Sequence, residues 1–600
     1  MAAEVILRNG RITTLNKRQP EASALAIEDG RIVAVGSEED MRPHAAPETK
    51  LIDLGQRRVI PGLIDSHTHI IRGGLSYNLE LRWDGVRSLA TAMDMLKAQV
   101  ARTPPPQWVR VVGGFTDQQF AEKRLPTLDE LNVIAPNTPV FILHLYDRAL
   151  LNGAAVRACG YTKDTPNPPG GEIVRDGKGN PTGLLVAKPN ATILYATLAK
   201  GPKLPIEYQR NSSRHFMREM NRLGVTGVID AGGGFQKFPE DYAVIEELHR
   251  AGELTLRLAY NLFTQRPRQE LDDFTTWAKG LKAGVGDDLY RLNGAGEMLV
   301  YSAADFEDFR QPRPEMPPNM ESDLTPIVRL LAEHRWPFRL HATYDETIGR
   351  ALDVFETINR DVPLQGLHWF FDHAETVSQR NLERIAKLGG GIAVQHRMAY
   401  QGEYFVERYG ARAAEGTPPI KRMLEMGVPV GAGTDATRVA SYNPWVCMAW
   451  LVTGKTFAGT RIYPRANCLE RETALRLWTE RNTWFSNEDG KKGQLVVGQF
   501  ADVAVLSHDY FQIPEDDIGS IESVLTLLGG RVVYGADDYE DLAPKLPAPM
   551  PDWSPVNVYG GYQHGSRHMQ STQVRAAPGS CVMSHRFDLW GPEGCGCWAF

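Results

Sequence analysis

Cysteine is scarce in this chain, long apolar runs are missing, and neither sign of charge is in large excess. Six cysteines among 600 residues are too few for a disulfide framework, so we expect a reducing, cytoplasmic location. No segment approaches the roughly 18–20 apolar residues of a membrane span, and MAAEVILRNGRITTL at the start lacks the pattern of a secretory signal. A net charge of −7 argues against a nucleic-acid surface.

Two histidines, His67 and His69, stand one residue apart within VIPGLIDSHTHIIRGG, residues 59–74. Residues two apart point to the same side of a β-strand, so both imidazoles can face one point just past the strand. Neutral imidazole nitrogens are ligands for a divalent metal such as zinc. A polar strand end with two satisfied histidines explains the same spacing, so the pair needs partners before it indicates a site.

Short apolar strands alternate with amphipathic helical runs after residue 220. Together with 63–69, the predicted strands are 225–231, 254–261, 295–301, 337–341, 367–372, 391–395 and 428–433. Eight such units predict an α/β protein built on a (β/α)8 TIM-like barrel, whose active site lies at the C-terminal ends of the strands.

Residue types that bind metals stand at those strand ends. Each of them alone has an ordinary explanation as a core or solvated residue. Parallel strands converge on one rim, however, so residues far apart in sequence can meet there and form a metal site. The predicted ligands are His67, His69, Glu297, His341, His373 and Asp435.

This set of motifs resembles the amidohydrolase superfamily. The resemblance rests on PGLIDSHTH (61–69), a histidine at each of the fifth and sixth strand ends and GTDA (433–436), and it extends over about residues 5 to 540. More narrowly, the chain is similar to the amidohydrolase 3 branch of N-substituted formamide deformylase-like hydrolases. The resemblance implies metal-dependent hydrolysis of a C–N bond in a small-molecule amide, N-formyl compound or cyclic amide. It also implies one or two divalent metals, most often zinc.

Two positions depart from that branch. Its fourth strand usually carries a lysine whose carboxylated form bridges two metals, and the matching residue here is Glu297. A glutamate offers two oxygens without modification, although a core acid paired with an arginine is the alternative. After PTGLL, where the branch often has a glutamate, the chain has Ala187 and Lys188. Lys188 either faces the substrate or is a solvated loop residue.

Hydrolysis by a metal-activated water needs a base, and we assign that role to Asp435, which would then protonate the leaving group. His396, at the end of the seventh strand, is placed to donate to an oxyanion, or it is a structural histidine. Tyr344 and Asp345 follow His341 in the rim loop. There both are candidates for contact with substrate, and Asp345 is a candidate to orient a ligand histidine.

The rest of the chain is predicted to surround a barrel domain of residues 59–485. Hairpin-like segments near both ends predict one small β-sandwich from residues 1–58 and 486–545. The segment of about 75–210 is too long for a loop, so we interpret it as an inserted lid that selects the substrate. His144 and Asp147 in it are candidate pocket residues.

Residues 546–600 contain proline and polar residues typical of an extended tail. The tail is either a strap that packs its aromatic residues on the body or on a partner subunit of a homodimer, or a second metal site. The spacing of its potential ligands matches no usual zinc module. Those ligands are His564, His568, Cys581, His585, Cys595 and Cys597.

Other functions share this pattern. A non-catalytic or regulatory relative would keep the fold and lose ligands, and here every expected position is filled, which favours an enzyme. A metal-dependent isomerase or deacetylase would use the same site, and the sequence does not separate these reactions.

Overall fold

The computed structural model describes residues 2–188, 191–233, 236–306 and 308–562. Within these ranges the chain is a mixed α/β protein. None of the helices there combines the length and the apolarity needed to cross a membrane.

The strands, in chain order, are β1 Val5–Arg8, β2 Arg11–Thr13, β3 Glu21–Ala22, β4 Ala24–Glu28, β5 Arg31–Gly36, β6 Lys50–Asp53, β7 Arg58–Pro61, β8 Leu63–Thr68, β9 Glu80–Leu81, β10 Val109–Val112, β11 Val140–His144, β12 Arg148–Leu151, β13 Gly171–Arg175, β14 Pro181–Ala187, β15 Val225–Asp230, β16 Arg257–Leu262, β17 Tyr290–Ala295, β18 Arg339–Ala342, β19 Phe370–His373, β20 Gly391–Gln395, β21 Val430–Gly433, β22 Val503–Leu506, β23 Ser523–Leu528 and β24 Arg531–Gly535.

The α-helices are α1 Glu38–Met41, α2 Ile70–Ser76, α3 Leu89–Arg102, α4 Leu128–Ile134, α5 Gly153–Ala158, α6 Thr192–Leu198, α7 Ile206–Arg222, α8 Ala243–Arg250, α9 Glu270–Gly280, α10 Met320–Glu333, α11 Asp345–Asn359, α12 Gln379–Leu388, α13 Arg397–Tyr409, α14 Ala411–Ala414, α15 Ile420–Glu425, α16 Pro444–Thr453, α17 Arg471–Leu477 and α18 Val556–Tyr559.

Eight parallel strands are divided between two four-stranded sheets, and five of them carry or directly precede a predicted ligand. Their orders are β17-β16-β15-β8 and β18-β19-β20-β21. Single parallel bridges, Ala295 to Phe338 and Thr68 to Ala436, connect the two sheets at both junctions. The strands are almost entirely buried, which explains why they read as short apolar runs rather than as alternating patterns.

Helix α12 illustrates how local sequence produces the helices around these sheets. The Ser378 hydroxyl accepts the backbone N–H three residues on, and Gly389 ends the helix in the left-handed conformation. Leu382, Ile385 and Leu388 recur on one side and are buried. Each such side chain stabilises the fold by about 1.5–3 kcal/mol, so the helix is held mainly by this apolar face.

The fourth parallel strand lies earlier than the predicted 295–301. It spans Tyr290–Ala295, so Glu297 follows the strand instead of lying on it. The reason is the glycines: a Cβ on Gly294 would lie 2.0 Å from the Pro337 carbonyl oxygen, and one on Gly296 2.5 Å from that of Ala231. The backbone therefore leaves the sheet here, in close contact with the neighbouring backbone. The apolar residues after Glu297, which suggested a strand, come after the end of the sheet.

Strands from the two ends of the described chain pair in one sheet. The six-stranded sheet β24-β23-β22-β7-β2-β3 joins residues 11–61 to residues 503–535. A four-stranded sheet, β5-β4-β1-β6, accompanies it. Side chains from both regions, among them Leu7, Ile12 and Leu525, share one apolar cluster.

The region between β8 and β15 forms a further six-stranded sheet, β13-β14-β12-β11-β10-β9. It has apolar clusters of its own, around Trp83 and Phe141.

The described part of the C-terminal segment runs along α7. The Tyr562 backbone N–H donates to Glu219 at 2.8 Å, and that of Met550 to Asn211 at 2.7 Å. The predicted second metal site, of His564, His568, Cys581, His585, Cys595 and Cys597, lies outside the described residues, as do the aromatic residues of the predicted strap.

Candidate metal centre

All six predicted ligands meet at the C-terminal ends of the parallel strands, and all six are buried. They come from β8 and the residue after it, from the turns after β17 and β21, and from β18 and β19. Two of them, His373 and Asp435, have positive φ angles, 78° and 55°. Such a backbone is uncommon outside glycine and is concentrated at functional sites.

One group of donors surrounds His67 and His69. The His67 Nε2 atom lies 3.3 Å from Glu297 Oε2 and 3.4 Å from Asp435 Oδ1. The His69 Nε2 atom lies 3.1 Å from Asp435 Oδ1 and 3.6 Å from Glu297 Oε1. Ligands bound at about 2.0–2.1 Å around a tetrahedral zinc are about 3.3 Å apart. The separations therefore match a metal's ligand shell.

A second group contains His341 and His373. The His341 Nδ1 and His373 Nε2 atoms each lie 3.5 Å from Glu297 Oε2, and they are 2.9 Å from each other. Glu297 thus belongs to both groups and is the carboxylate between them.

The donor chemistry also fits a divalent ion. His67 Nε2 and Glu297 Oε2 are buried and make no hydrogen bond to a described residue. Leaving buried polar atoms unpaired is costly, and a cation accepting both lone pairs removes that cost. Imidazole and carboxylate together suit zinc and related metals.

Residues that the sequence analysis missed orient these ligands. The His67 Nδ1–H donates to Asp372 at 2.9 Å, and Asp372 also accepts from Arg339 Nε at 2.7 Å. His69 donates from Nδ1 to the Gly232 carbonyl. These bonds select the tautomer that turns Nε2 towards the donor groups. The available signal was an acid and a base, Asp372 in FFDH and Arg339 in PFRLH, inside otherwise apolar neighbouring strands.

Asp345 does not orient a ligand histidine as predicted. Its carboxylate accepts from the Ser378 backbone N–H and the Asn381 side chain, both at 2.7 Å, so it links α11 to α12. Asp305 lies in the expected place instead, with Oδ1 3.5 Å from His341 Nε2. Asp305 also accepts the backbone N–H of Tyr344 at 3.0 Å, and Tyr344 is buried at the start of α11.

Arg397, which the sequence analysis also missed, reaches into the centre from the start of α13. Its Nη2 donates to Asp435 Oδ2 at 2.5 Å and lies 3.2 Å from His373 Nε2. Burial alone would raise the pKa of Asp435, but the charges of Arg397 and His67 hold it well below its usual range. Burial and Arg397 both hold the pKa of His373 well below its usual value.

At neutral pH, Glu297 carries a negative charge and His67 carries a positive charge. Burial opposes the charged form of Glu297, yet the His67 charge and the nearby His341 and His373 rings hold its pKa well below its usual range. Burial likewise lowers the pKa of His67, but Asp372 outweighs it and raises the value to about 10. The carboxylates are therefore ionised at neutral pH, and a metal that binds His67 has to displace a proton.

His396 stands next to this centre, and neither of its ring nitrogens makes a hydrogen bond to a described residue. It precedes α13, is fully buried, and lies edge-on to Tyr400 with 5.6 Å between ring centroids. Burial lowers its pKa to about 4, and the Gly433 backbone and the Asp435 charge offset only part of that effect. The ring is neutral at pH 7, so it can donate from one nitrogen.

The candidate residues from the 75–210 segment lie in two different surroundings: His144 and Asp147 are buried, and Lys188 is exposed. His144 Nδ1 donates to Asp147 Oδ1 at 2.7 Å, and Arg310 Nη1, from the segment after β17, donates to Asp147 Oδ2 at 2.9 Å. The ion pair between Arg310 and Asp147 connects the sheet that contains β11 and β12 to the segment between β17 and β18. Lys188 pairs with Glu172, and its side chain is 54% exposed, which favours the solvated-loop interpretation.

A profile of the amidohydrolase family matches residues 50–534. The chain belongs to the amidohydrolase family. It is 24% identical over 554 residues to N-substituted formamide deformylase of Arthrobacter pascens, covering 88% of this chain and 98% of that protein. It is 24% identical over 538 residues to the putative amidohydrolase YtcJ of Bacillus subtilis (strain 168), covering 88% and 99%.

A solved structure has the same fold as this amidohydrolase. It is an uncharacterized metal-dependent hydrolase from Pyrococcus horikoshii OT3, with a TM-score of 0.63 and 21% identity over 85% of this chain and 99% of that one. The family expected from the sequence is thus confirmed, and the family and these relatives support a hydrolase.

Proposed function

We propose that this protein is a metal-dependent hydrolase that cleaves a C–N bond in an amide, N-formyl or cyclic amide substrate. The observation that carries the proposal is Glu297, buried between two groups of histidines and within 3.3–3.6 Å of a nitrogen of each. A carboxylate with two oxygens in that position is suited to hold two divalent ions, with zinc the first candidate. The name of the Arthrobacter pascens relative, a deformylase of N-substituted formamides, supports the bond type.

Under this proposal, His67, His69, Glu297 and Asp435 hold one ion, and Glu297 with the second histidine pair holds another. A divalent ion held there would lower the pKa of a water molecule to about 7, far below that of bulk water, and would polarise a carbonyl. The chain's own residues then move the protons.

Asp435 is the proposed general base. Arg397 binds its Oδ2, which keeps the carboxylate ionised and leaves Oδ1 directed at His67 and His69. Asp435 takes a proton from the attacking water and returns it to the leaving nitrogen as the C–N bond breaks. We further propose that His396, neutral and buried beside the centre, donates to the carbonyl oxygen as negative charge develops there.

We also propose that the two parallel sheets act as one (β/α)8 barrel. The bridges at both junctions support this, because they link β17 to the start of β18 and β8 to the turn after β21. We propose that residues 1–58 and 486–545 form a small β-sandwich domain and that residues of about 75–210 form a lid domain. It is supported by the mixed six-stranded sheet and by the separate cores of the inserted sheet.

The test is hydrolysis by purified, zinc-loaded protein of matched libraries of N-acyl, N-formyl, cyclic amide and ester compounds. We expect metal-dependent release of an amine from at least one C–N class, and loss of that release in Asp435→Asn. A matched control is Asp538→Asn, because Asp538 is 78% exposed and pairs at the surface with Arg57. Protein that binds zinc at the centre and hydrolyses none of these classes would contradict the proposal.

A further inference from the structure

A cavity of about 130 Å³ is lined by three arginines, Arg72, Arg110 and Arg438. Arg72 lies in α2, three residues after His69, and Arg438 lies three residues after Asp435. The same short segments therefore supply both metal-centre residues and cavity residues. The charges of the centre's carboxylates also act on Arg72, whose pKa they help to raise against the effect of burial.

Two of these guanidinium groups have no anionic partner in the part of the chain that the structure describes. Within the described residues, neither Arg72 nor Arg438 forms an ion pair or a side-chain hydrogen bond, and buried nitrogens of both are unpaired: Nε and Nη2 of Arg72, and Nε of Arg438. Tyr195 lies between them, with its ring centroid 5.4 Å from the Arg72 guanidinium carbon and 4.8 Å from that of Arg438. In the described ranges, Arg110 donates only to the Pro202 carbonyl.

Among the described residues, the two acids in the cavity wall form no ion pair with these arginines. Glu80 pairs with Arg82 and accepts from the Ser76 hydroxyl at 3.0 Å. Asp241 accepts the backbone N–H of Lys237 at 2.7 Å.

The positive charges of these buried arginines repel one another. Burial, and then the charge of Arg72, lowers the pKa of Arg438 to about 10, while burial lowers that of Arg110 to about 10. Both remain charged at neutral pH. Burying such groups without partners is unfavourable, so an anion that entered the cavity would be bound strongly. Guanidinium forks bind carboxylates with paired, charge-assisted hydrogen bonds.

We propose that this cavity binds a carboxylate group of the substrate, held by Arg72 and Arg438, while the scissile bond lies at the metal centre. The inference rests on the proposed function and narrows its substrates to amides that also carry a carboxylate. Leu75, Leu79 and Leu198 line the same cavity and provide an apolar wall for the carbon chain between the two groups.

The first test measures binding, so it does not depend on turnover. Calorimetric titration of the zinc-loaded protein with butyrate and with butyramide compares a carboxylate with its neutral isostere. We expect butyrate to bind more tightly than butyramide. Arg438→Gln and Arg72→Gln should each weaken butyrate binding about 10- to 100-fold, the range for one hydrogen bond to a charged group, and leave butyramide unchanged.

Controls separate the cavity from the metal and from folding. Any contact of butyrate with the metal is common to all variants, so the ratio between variants reports the arginines alone. Arg329→Gln is the matched control, because Arg329 pairs at the surface with Asp361, and unfolding temperatures check that each variant folds. Equal butyrate binding in all variants, or tighter binding of inorganic phosphate than of butyrate, would overturn the proposal.

The second test measures kcat/KM for amides in pairs, each carboxylate beside its carboxamide. We expect the protein to prefer the carboxylate member and Arg438→Gln to lose the preference through KM. Hydrolysis of both members at equal rates would overturn the cavity proposal while leaving the hydrolase standing. Hydrolysis of neither member, with normal butyrate binding, would count against the hydrolase alone.

Discussion

Asp435→Asn is the substitution that tests the proposed chemistry most directly. Asparagine has the same size and retains an oxygen that can face His67 and His69, but it cannot accept a proton from water. The fold and most of the metal binding should therefore survive while kcat falls.

The expected size of the effect follows from the surroundings of this carboxylate. General base catalysis contributes about 10²–10⁴-fold, equivalent to about 3–5 kcal/mol of transition-state stabilisation. Asp435 also pairs with Arg397 at 2.5 Å, so the substitution removes one charge of a buried ion pair. We therefore expect a fall of at least about 10²-fold in kcat, with a smaller loss of stability.

The assay is the pH dependence of kcat in the zinc-loaded protein, with metal content and unfolding temperature measured on the same samples. The acid limb, which we assign to Asp435 and the water it deprotonates acting together, should shift or vanish in the variant. A variant with near-normal kcat and an unchanged profile would show that the proton goes elsewhere, with His396 the first alternative.

Four further predictions concern the metal, stability and the rim. Chelation should abolish activity and zinc should restore it, whereas activity that persists without metal would exclude a metal mechanism. Glu297→Gln should lower the occupancy of one ion in elemental analysis, and an unchanged two-ion content would contradict the bridging role. Glu488 is buried beside Lys492, and their ion pair, after overcoming burial, holds its pKa at about 2 against the usual 4.5. Because this pKa is depressed, Glu488 contributes about 3 kcal/mol to the free energy of unfolding above pH 4.5, and this contribution is lost as the pH falls towards 2. Chemical denaturation of Glu488→Gln should therefore show a lower free energy of unfolding at pH 7 and a weaker dependence of stability on acid pH. Gly113→Ala should weaken butyrate binding, since a Cβ there would lie 2.0 Å from the Arg438 backbone oxygen, and unchanged binding would show that this loop does not position the arginine.

The sequence was sufficient to predict that the six predicted ligands meet, because most of them stand at the end of a short apolar strand. Strand ends are easily located, and parallel strands bring their ends to one rim, so His67, His341 and His373 could be predicted from position alone. The fourth strand was misplaced because apolar residues after Glu297 suggest a strand, while the glycines before it decide where the backbone leaves the sheet.

The residues that orient the ligands were harder to predict, because their roles depend on contacts between distant segments. Asp372 and Arg339 stand on adjacent strands, but the bond from Asp372 to His67 joins residues 305 positions apart. Asp345 was the wrong choice because it is close to His341 in sequence, whereas the start of α11 directs its carboxylate towards α12.

Glu297 is a residue at which the sequence departs from the resembled branch, and it also lies in the candidate metal centre. In the resembled branch, a bridging lysine must first acquire a carboxylate from carbon dioxide, whereas a glutamate carries one from the start. Its pKa, held well below the usual range by the surrounding histidines, keeps both oxygens available at neutral pH. The same charge partly balances His67, whose proton a metal must displace. Under the proposed bridging role, such a centre would need no bicarbonate to assemble.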